Sequence, residues 1–475
     1  MTVPRRPSRP RKPGPPARRP GPRRPPVEDP ARRAALDTLA AVRGRDAYAN
    51  LVLPSLLRER GIRGRDAALA TELCYGTSRA QGLLDAVLQS CADRPLSEVD
   101  GELLDALRLG SYQLLRTRVP PHAAVAATVD LVRAGRGSGA AGFVNAVLRR
   151  VGKHDETAWI QEVAPAPDDD PVGHLAMTHS HPRWIADAFA DALGGDHDEL
   201  AGALAANDLR PLVHLVARPG EISAAELAAV TGGDPAPYSP YGVHLAEGGD
   251  PGQLAPLHEH LAHVQDEGSQ LVTLALAGVP LDGPDERWLD LCAGPGGKAA
   301  LLGALAATQG ATLDAVEKAE HRAALVSKAC VGLPVTVHVA DGRDSGLPER
   351  AFDRVLVDVP CTGLGALRRR PEARWRRRLD DVAGLVRLQR ELLLAALRLV
   401  RPAGVVAYVT CSPHMDETMS VVEDVVQRTG AEQFDARPGF PEVPLLGEGP
   451  QVQLWPHRHG TDAMFCALLR RPEGG

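Results

Sequence analysis

From about residue 263 onward, short apolar segments alternate with segments of helical period. Strands are predicted for RWLDLC (287–292), TLDAVE (312–317), VTVHVAD (335–341), FDRVLVDVP (352–360) and GVVAYVTC (404–411), and helices are predicted between them. QVQLWP and AMFCALLRR predict a hairpin that closes the sheet. Strands that alternate with helices in this way form a parallel, doubly wound sheet. We therefore expect an α/β domain over residues 263–472.

The N-terminal half of the chain follows a different pattern. Residues 29–152 carry apolar side chains at a spacing of three to four, interrupted at Gly and Pro, which predicts an all-helical domain. Residues 153–178 are rich in Ala, Pro and Asp and are expected to form a linker. Residues 179–262 mix helical and strand patterns, which indicates a small α/β domain. The length of 475 residues accommodates several domains, at roughly 150 residues each.

Basic residues are concentrated in two segments, although the formal net charge is −6. Residues 1–28 are rich in Pro and Arg, and we expect a disordered basic arm there, which is either a solubilising tail or a nonspecific contact for RNA phosphates. Residues 368–378 (RRRPEARWRRR) contain seven arginines and Trp375. Such a run is usually a solvated face, but its place after a candidate catalytic loop and the interleaved Trp favour contact with nucleic acid.

Composition excludes several classes of protein. Hydrophobic residues make up 44% and charged residues 24%, as in folded domains rather than disordered chains. No apolar run of about 18 residues predicts a transmembrane helix, and the N-terminus lacks the apolar segment of a signal peptide. The seven cysteines are far apart and form no CxxC pair, which disfavours a disulfide framework and a metal site. We expect a cytoplasmic protein without membrane or metal partners.

A glycine-rich turn follows the first strand of the α/β domain. It consists of Cys292, Ala293, Gly294, Pro295, Gly296, Gly297 and Lys298. Glycines let the backbone approach a ligand closely, and the helix that follows offers free N–H groups. The spacing matches neither GxxxxGK[ST] nor GxGxxG. Glu317 and Asp341 end the next two strands, where a single acid is more often a helix cap but can also accept hydrogen bonds from ribose hydroxyls. Together these strand ends favour a cofactor that carries adenosine.

Two cysteines follow neighbouring strands of the predicted sheet. Cys361 lies in DVPCTG (358–363), after the fourth strand, and Cys411 lies in VTCS (409–412), after the fifth. Ligands bind outside the carboxyl ends of parallel strands, so we expect both thiols in one crevice beside the glycine-rich turn. The other cysteines are expected to be buried as small apolar side chains; they are Cys74, Cys91, Cys292, Cys330 and Cys466.

The motifs DLCAGPGGK, DVPCTG and VTCS together resemble the RNA (cytosine-5) methyltransferases that use S-adenosylmethionine. In the N-terminal half, LCYGTSR, LGSYQLLRTRVPPHAAVAATVDLVR and GFVNAVLRR resemble the NusB-like RNA-binding domain. The combination is similar to the RsmB family of bacterial 16S ribosomal RNA methyltransferases, over roughly residues 30–470. The resemblance implies a NusB-like domain over 29–152 and a Rossmann-like class I methyltransferase domain over 263–472.

The resemblance also implies roles for individual residues. Cys411 would be the nucleophile that adds to carbon 6 of cytosine, and Cys361 would assist product release. The opposite assignment stays open, because DNA enzymes of similar chemistry use the cysteine of the Pro-Cys motif. Asp358 would bind the base or lie near the methyl donor, and Lys298 would favour the thiolate. The cofactor contacts would be the turn 292–298 with Glu317, Asp341 and Asp358.

The function implied is methylation of carbon 5 of a cytosine in 16S ribosomal RNA, at an unpaired or loop nucleotide. One alternative is a transfer RNA cytosine-5 methyltransferase, although the NusB-like half argues against it. The other is a non-catalytic RNA-binding assembly factor, which the intact cysteines disfavour. Asp416-Glu417-Thr418 stands where the family has Glu-Glu-Asn. His457 and His459 are expected at the surface or facing RNA.

Overall fold

The computed structural model describes residues 29–45, 47–245 and 251–471, so the predicted basic arm, 1–28, lies outside them. The N-terminal domain is helical: α1 Pro30–Arg45, α2 Ala49–Glu59, α3 Gly64–Cys91, α4 Gly101–Arg116, α5 Pro121–Val151 and α6 Glu156–Val163. The long helix α3 forms its centre, with Leu73, Leu83 and Leu84 buried against the neighbouring helices. Within the described ranges, no helix is both long and apolar enough to cross a membrane.

Residues 153–178, which we predict as a linker, contain helices. They include α6 and α7, which spans Pro171–Thr178. Asp155 and Asp170 cap these helices by accepting backbone N–H groups, and Trp159 is buried in the core of the helical domain. The composition of the segment reflects the caps and turns around two short helices, which explains why it suggests a linker.

A small mixed region separates the helical and C-terminal domains. Its elements are α8 Arg183–Ala192, α9 His197–Asp208, β1 Val213–Ala217, α10 Ala224–Thr231, β2 Asp234–Pro235, β3 Gly242–Leu245, α11 Ala255–His258 and β4 Ala262–Val264. The strands form an antiparallel sheet in the order β2-β3-β1-β4. Phe189 of α8 packs with Leu364 and Trp455 of the C-terminal domain. The region therefore shares a core with the domain that follows it.

The C-terminal domain is a doubly wound sheet. Its elements are α12 Glu267–Ala277, β5 Arg287–Asp290, α13 Gly297–Thr308, β6 Thr312–Glu317, α14 Glu320–Ala329, β7 Val335–Val339, β8 Phe352–Asp358, α15 Ala373–Arg376, α16 Asp380–Leu399, β9 Val400–Thr410, α17 Met419–Thr429, β10 Glu432–Phe434, β11 Val452–Gln453, α18 Pro456–His459 and β12 Phe465–Arg470. The strand order is β10-β12-β9-β8-β5-β6-β7. Pairings from β9 to β7 are parallel, which confirms the predicted fold class.

Alternating side chains of the strands fill a core on each face of this sheet. Trp288 of β5 points toward the core that α12 and α13 cover, whereas its neighbour Leu289 lies in the core that α16 and α17 cover. Burial on both faces explains why these strands are continuous apolar runs. The predicted closing hairpin is present, since β11 and β9 both pair antiparallel with β12.

The arginine-rich segment 368–378 is not a solvated face. Arg374 is fully buried, donates to Asp208 Oδ1 at 2.8 Å and to the carbonyl oxygen of Asn207 at 2.8 Å, and also reaches the carbonyl of His179. Burial opposes ionisation of Asp208, but the Arg374 charge, the hydrogen bonds from His179 and Arg374, and the His181 charge together outweigh burial and lower the pKa of Asp208 to about 2. This arginine joins the C-terminal domain to the preceding helices, so the prediction of a nucleic-acid contact is corrected for it.

Other members of the segment act in the same way. The indole Nε1 of Trp375 donates to the carbonyl of Ser78 in α3 at 3.0 Å, and a Cβ on Gly82 would come within 2.5 Å of the indole ring. Arg376 donates to the carbonyl of Val42 in α1 at 2.9 Å, whereas Arg368 and Arg369 pair with Asp462 of their own domain, at 2.9 and 3.0 Å. The segment is therefore the connection between the helical and C-terminal domains, which charge counting alone cannot distinguish from a binding surface.

Replacing Arg374 with Ala should lower the free energy of unfolding by about 3–5 kcal/mol, because Asp208 would lose its cation and the buried carbonyls their donor. Thermal and urea unfolding of the full chain would measure the loss. Arg378→Ala is the matched control, since Arg378 is exposed in the same segment and should change stability by less than about 0.5 kcal/mol. Equal losses in the two variants would contradict a structural role for Arg374.

Candidate active site

The two thiols singled out in the sequence meet at the carboxyl ends of β8 and β9. These strands pair in parallel, with Asp358 opposite Val409, so the chain leaves both strands at the same edge of the sheet. Cys361 Sγ and Cys411 Sγ lie 3.4 Å apart. Neither cysteine is fully buried, and a separation of this size permits a hydrogen bond between the two sulfur atoms.

The backbone around Cys411 is fixed by a close packing of loops. The N–H of Gly365 donates to the carbonyl of Cys411 at 2.8 Å, and the N–H of Ala463 donates to the carbonyl of Gly365 at 2.9 Å. A Cβ on Gly365 would come within 2.1 Å of the Ala463 carbonyl oxygen. Only glycine fits there, so this residue allows the loop carrying Cys361 to approach the strand end that carries Cys411.

A buried acid under the thiols is absent from the predicted site residues. Glu417 is wholly buried and accepts hydrogen bonds from the Thr362 N–H at 2.8 Å, the Thr362 hydroxyl, and Gln389 Nε2 at 3.0 Å. The Thr362 hydroxyl also lies 3.0 Å from Ser412 Oγ. The acidic pair Asp416-Glu417, which follows the VTCS motif, is the sequence signal that could have indicated this network.

Charges around the thiols differ between the two cysteines. Lys298 Nζ lies 2.8 Å from Asp358 Oδ2. Burial lowers the pKa of Lys298, but the charge and hydrogen bond of Asp358, together with the Cys411 charge, outweigh burial and raise that pKa. The hydrogen bond with Cys411 and burial raise the pKa of Cys361 well above its ordinary value, with Glu417 contributing. Cys361 therefore remains a thiol, and a cation lies near Cys411.

The glycine-rich turn can hold a cofactor against its backbone. Gly296 has a φ of +114°, in the left-handed region that favours glycine. It directly precedes α13, whose N-terminus has no side-chain cap among the described residues, so the first N–H groups of α13 are available to a ligand. A Cβ on Gly294 would come within 2.1 Å of Glu317 Oε2, so the turn and the end of β6 are in contact. The residues present fit a cofactor with a ribose.

The two predicted acids at strand ends have different surroundings. Glu317 is buried, its Oε1 accepts the N–H of Ala319 at 2.8 Å, and its Oε2 lies against the turn and 3.6 Å from Arg322 Nε. Asp341 instead pairs with Arg343 at 2.7 Å and with Lys318 at 2.9 Å. The hydrogen bond from Arg343 is the main reason that the pKa of Asp341 is lowered. Glu317 therefore adjoins the glycine-rich turn with one arginine at 3.6 Å, whereas Asp341 is held by two closer cations.

Asp290, at the end of β5, was also absent from the predicted site residues. It is buried, its Oδ1 accepts the N–H of Cys292 at 3.3 Å, and its Oδ2 has no hydrogen-bond partner among the described residues. Burial, together with the Asp358 charge, raises the pKa of Asp290 to about 7. An acid two residues before a glycine-rich turn is the sequence signal that could have indicated Asp290. Its free oxygen is a further polar group available beside the turn.

Asp290 should make stability depend on pH. Its pKa in the folded chain exceeds the ordinary value of 3.8. Between about pH 4 and 7, Asp290 is therefore ionised in the unfolded chain but still protonated in the folded chain. The free energy of unfolding falls as pH rises through this range. Asp290→Asn cannot ionise and should gain stability relative to the wild type by up to about 4 kcal/mol from pH 4 to 8. Urea unfolding of both proteins across this range measures the difference. A difference that is constant with pH would contradict the raised pKa.

The expectation for two histidines is corrected. His459 is buried, accepts the N–H of Trp455 at 2.8 Å through Nδ1, and has Nε2 2.8 Å from the carbonyl of Pro444. His457 is half-buried and lies 2.7 Å from Glu199. Both histidines join the C-terminal loop to neighbouring elements. Within the described residues, no cluster of three or more His, Cys, Asp or Glu side chains could hold a metal ion.

A doubly wound parallel sheet with a glycine-rich turn at its strand ends is typical of enzymes that bind a cofactor containing a nucleoside. The family model described as 16S rRNA methyltransferase RsmB/F matches residues 280–470, and the NusB family model matches residues 29–153. The chain therefore belongs to the RsmB family and is an S-adenosylmethionine-dependent RNA methyltransferase with a NusB domain.

Curated relatives agree with this assignment, and a solved structure shares the fold. The chain is 60% identical over 452 residues to the putative methyltransferase Rv1407 of Mycobacterium tuberculosis, covering 95% of this chain and 98% of that protein. It is 30% identical over 462 residues to the probable ribosomal RNA small subunit methyltransferase B of Bacillus subtilis, covering 92% and 98%. The crystal structure of PH0851 shares the fold, with a TM-score of 0.78 at 22% identity over 94% of this chain and 99% of that chain.

Proposed function

We propose that the chain methylates carbon 5 of a cytosine in 16S ribosomal RNA, through a transient covalent bond between Cys411 and carbon 6. The observation that carries the proposal is the 3.4 Å separation of Cys361 Sγ and Cys411 Sγ beside the cofactor turn. The Bacillus subtilis relative is a probable ribosomal RNA small subunit methyltransferase, which supports a small-subunit ribosomal RNA as substrate. Such a substrate is cytoplasmic, and we place the protein there.

Carbon 5 of cytosine is a weak nucleophile until the ring is activated. Addition of the Cys411 thiolate to carbon 6 forms a sulfur–carbon bond and moves the electron pair of the 5,6 double bond onto carbon 5. When bound, S-adenosylmethionine would supply an electrophilic methyl group to carbon 5: the electron pair on carbon 5 forms the new bond, the methyl–sulfur bond breaks, and S-adenosylhomocysteine is the leaving group. The carbon-5 proton then leaves to a base, the 5,6 double bond re-forms, and the electron pair of the sulfur–carbon bond returns to Cys411.

Charges at the site favour this division of roles between the cysteines. The Lys298 ammonium is close enough for the Cys411 charge to affect its pKa, and a nearby cation favours a thiolate. Cys361, held as a thiol, can donate its proton toward the sulfur of Cys411 as the electron pair returns. Asp358 orients Lys298 and lies where it can contact the base or the methyl donor. The reversed roles of the cysteines are the alternative that the experiment below tests.

The cofactor would lie across the glycine-rich turn. We assign its contacts to the turn residues Cys292, Ala293, Gly294, Pro295, Gly296, Gly297 and Lys298, together with Glu317, Asp341 and Asp358. Glu317 supports ribose binding through its contact with the turn. Asp341 would first have to release Lys318 or Arg343. The NusB-like domain, 29–152, would hold RNA while an unpaired cytosine enters the site.

Replacing Cys411 with Ala should reduce methyl transfer to ribosomal RNA by about 1,000-fold or more, because the nucleophile is lost. Cys361→Ala should instead accumulate a covalent protein–RNA adduct. Incorporation of labelled methyl groups and denaturing gels measure these effects. Cys330→Ala, which removes a buried thiol outside the site, serves as the control. An adduct that depends on Cys361 and survives the loss of Cys411 would reverse the assignment.

Bisulfite sequencing of RNA from a deletion strain should identify the substrate. We expect one 5-methylcytosine to disappear from 16S ribosomal RNA, transfer RNA to be unchanged, and wild-type chain but not Cys411→Ala to restore the mark. A loss confined to transfer RNA would favour the transfer RNA alternative. Unchanged methylation, together with no binding of S-adenosylmethionine in an equilibrium titration, would favour the assembly-factor alternative.

A further inference from the structure

Glu417 combines complete burial with hydrogen bonds to both carboxylate oxygens, from Thr362 of the Cys361 loop and from Gln389 of α16. A carboxylate shielded from water is costly unless hydrogen bonds satisfy it. Oε1 of Glu417 accepts from the Thr362 N–H and from Gln389 Nε2, and Oε2 accepts from the Thr362 hydroxyl. This arrangement is more elaborate than a helix cap or a surface ion pair. Its cost indicates that the acid holds its partners in one particular geometry.

The partners of Glu417 lie on both sides of Cys361. Thr362 follows Cys361 directly, and Gln389 Nε2 also donates to the carbonyl of Pro360, the residue before Cys361, at 2.9 Å. Glu417 itself is tied to the strand that ends at the other thiol, because the Tyr408 hydroxyl of β9 donates to the Glu417 carbonyl at 2.7 Å. The acid thus connects β9 to the loop that carries Cys361.

We propose that Glu417 is a positioning residue for the release step: its carboxylate holds the Cys361 loop against the Cys411 strand end. This inference rests on the proposed function, in which Cys361 assists expulsion of Cys411 from the base. Glu417 touches neither sulfur by a hydrogen bond and acts through Thr362 and Gln389. Its loss should therefore leave the covalent bond to RNA able to form but slow to break.

Three variants separate geometry from charge. Glu417→Ala removes the acceptors. In Glu417→Gln, the amide oxygen can still accept from the Thr362 N–H and from Gln389. The new amide group can donate to the Thr362 hydroxyl, and that hydroxyl can donate in turn to Ser412 Oγ. Asp416→Asn is the matched control, because Asp416 is the adjacent carboxylate and is exposed. Each is made in the full chain and assayed with ribosomal RNA and S-adenosylmethionine.

We expect Glu417→Ala to resemble Cys361→Ala, with about tenfold or more covalent adduct on a denaturing gel and a reduced kcat. Its KM for S-adenosylmethionine should be unchanged, because the cofactor turn is a separate segment. Glu417→Gln and Asp416→Asn should release product as the wild type does. The proposal is overturned if Glu417→Ala accumulates no adduct while Cys361→Ala does, or if Glu417→Gln accumulates as much as Glu417→Ala.

A second measurement is independent of methylation. Diamide oxidises two neighbouring thiols to a disulfide, and its N=N bond takes up the two electrons and two protons to give a hydrazine. The 3.4 Å pair should oxidise rapidly in the wild type and at least about tenfold more slowly in Glu417→Ala, as measured by mass spectrometry of the Cys361–Cys411 peptide. Equal rates would overturn the positioning role.

The two measurements distinguish failure of this inference from failure of the proposed function. If Cys361→Ala forms no adduct, the proposed function fails and the diamide rates alone decide the role of Glu417. If Glu417→Ala does not fold, as judged by circular dichroism, Glu417→Asp replaces it, since it keeps the charge but withdraws the oxygens by about 1.5 Å. Slow diamide oxidation of Glu417→Asp supports the proposal, and a wild-type rate overturns it.

Discussion

The parallel pairing of β8 with β9 is the interaction on which the site depends. Their register sets Asp358 opposite Val409, so the loops that leave both strands begin side by side. Backbone hydrogen bonds thereby bring together Cys361 and Cys411, which are 50 residues apart in the chain. A slip of one residue would turn the side chains of one strand to the other face of the sheet, and the pair of thiols would be lost.

The chain that leaves Cys361 continues directly into the junction between domains. Arg377 Nε donates to the carbonyl of Thr362 at 3.1 Å, and Arg374, three residues earlier, is buried against Asp208. The segment that begins at Cys361, in the active site, therefore ends at the residues that contact the helical domain. The helical domain and the active site are therefore physically linked through this segment.

Local patterns predicted the features that depend on local physics. The glycine-rich turn and the cysteines at strand ends follow from strand period and from the rule that ligands bind at the carboxyl ends of parallel strands. Features that depend on distant partners were missed. Arg374 looks like surface charge until Asp208 is beside it, and Glu417 has no evident role until Thr362 folds over it. The sequence pattern carries no information about such pairings.

The most direct test of the account is to trap the enzyme on RNA that contains 5-fluorocytosine and to identify the attached peptide by mass spectrometry. Fluorine at carbon 5 cannot leave as a proton does, so the sulfur–carbon bond persists. We expect the base to be attached to Cys411, on the peptide that ends β9. Attachment to Cys361, or no attachment to either thiol, would contradict it.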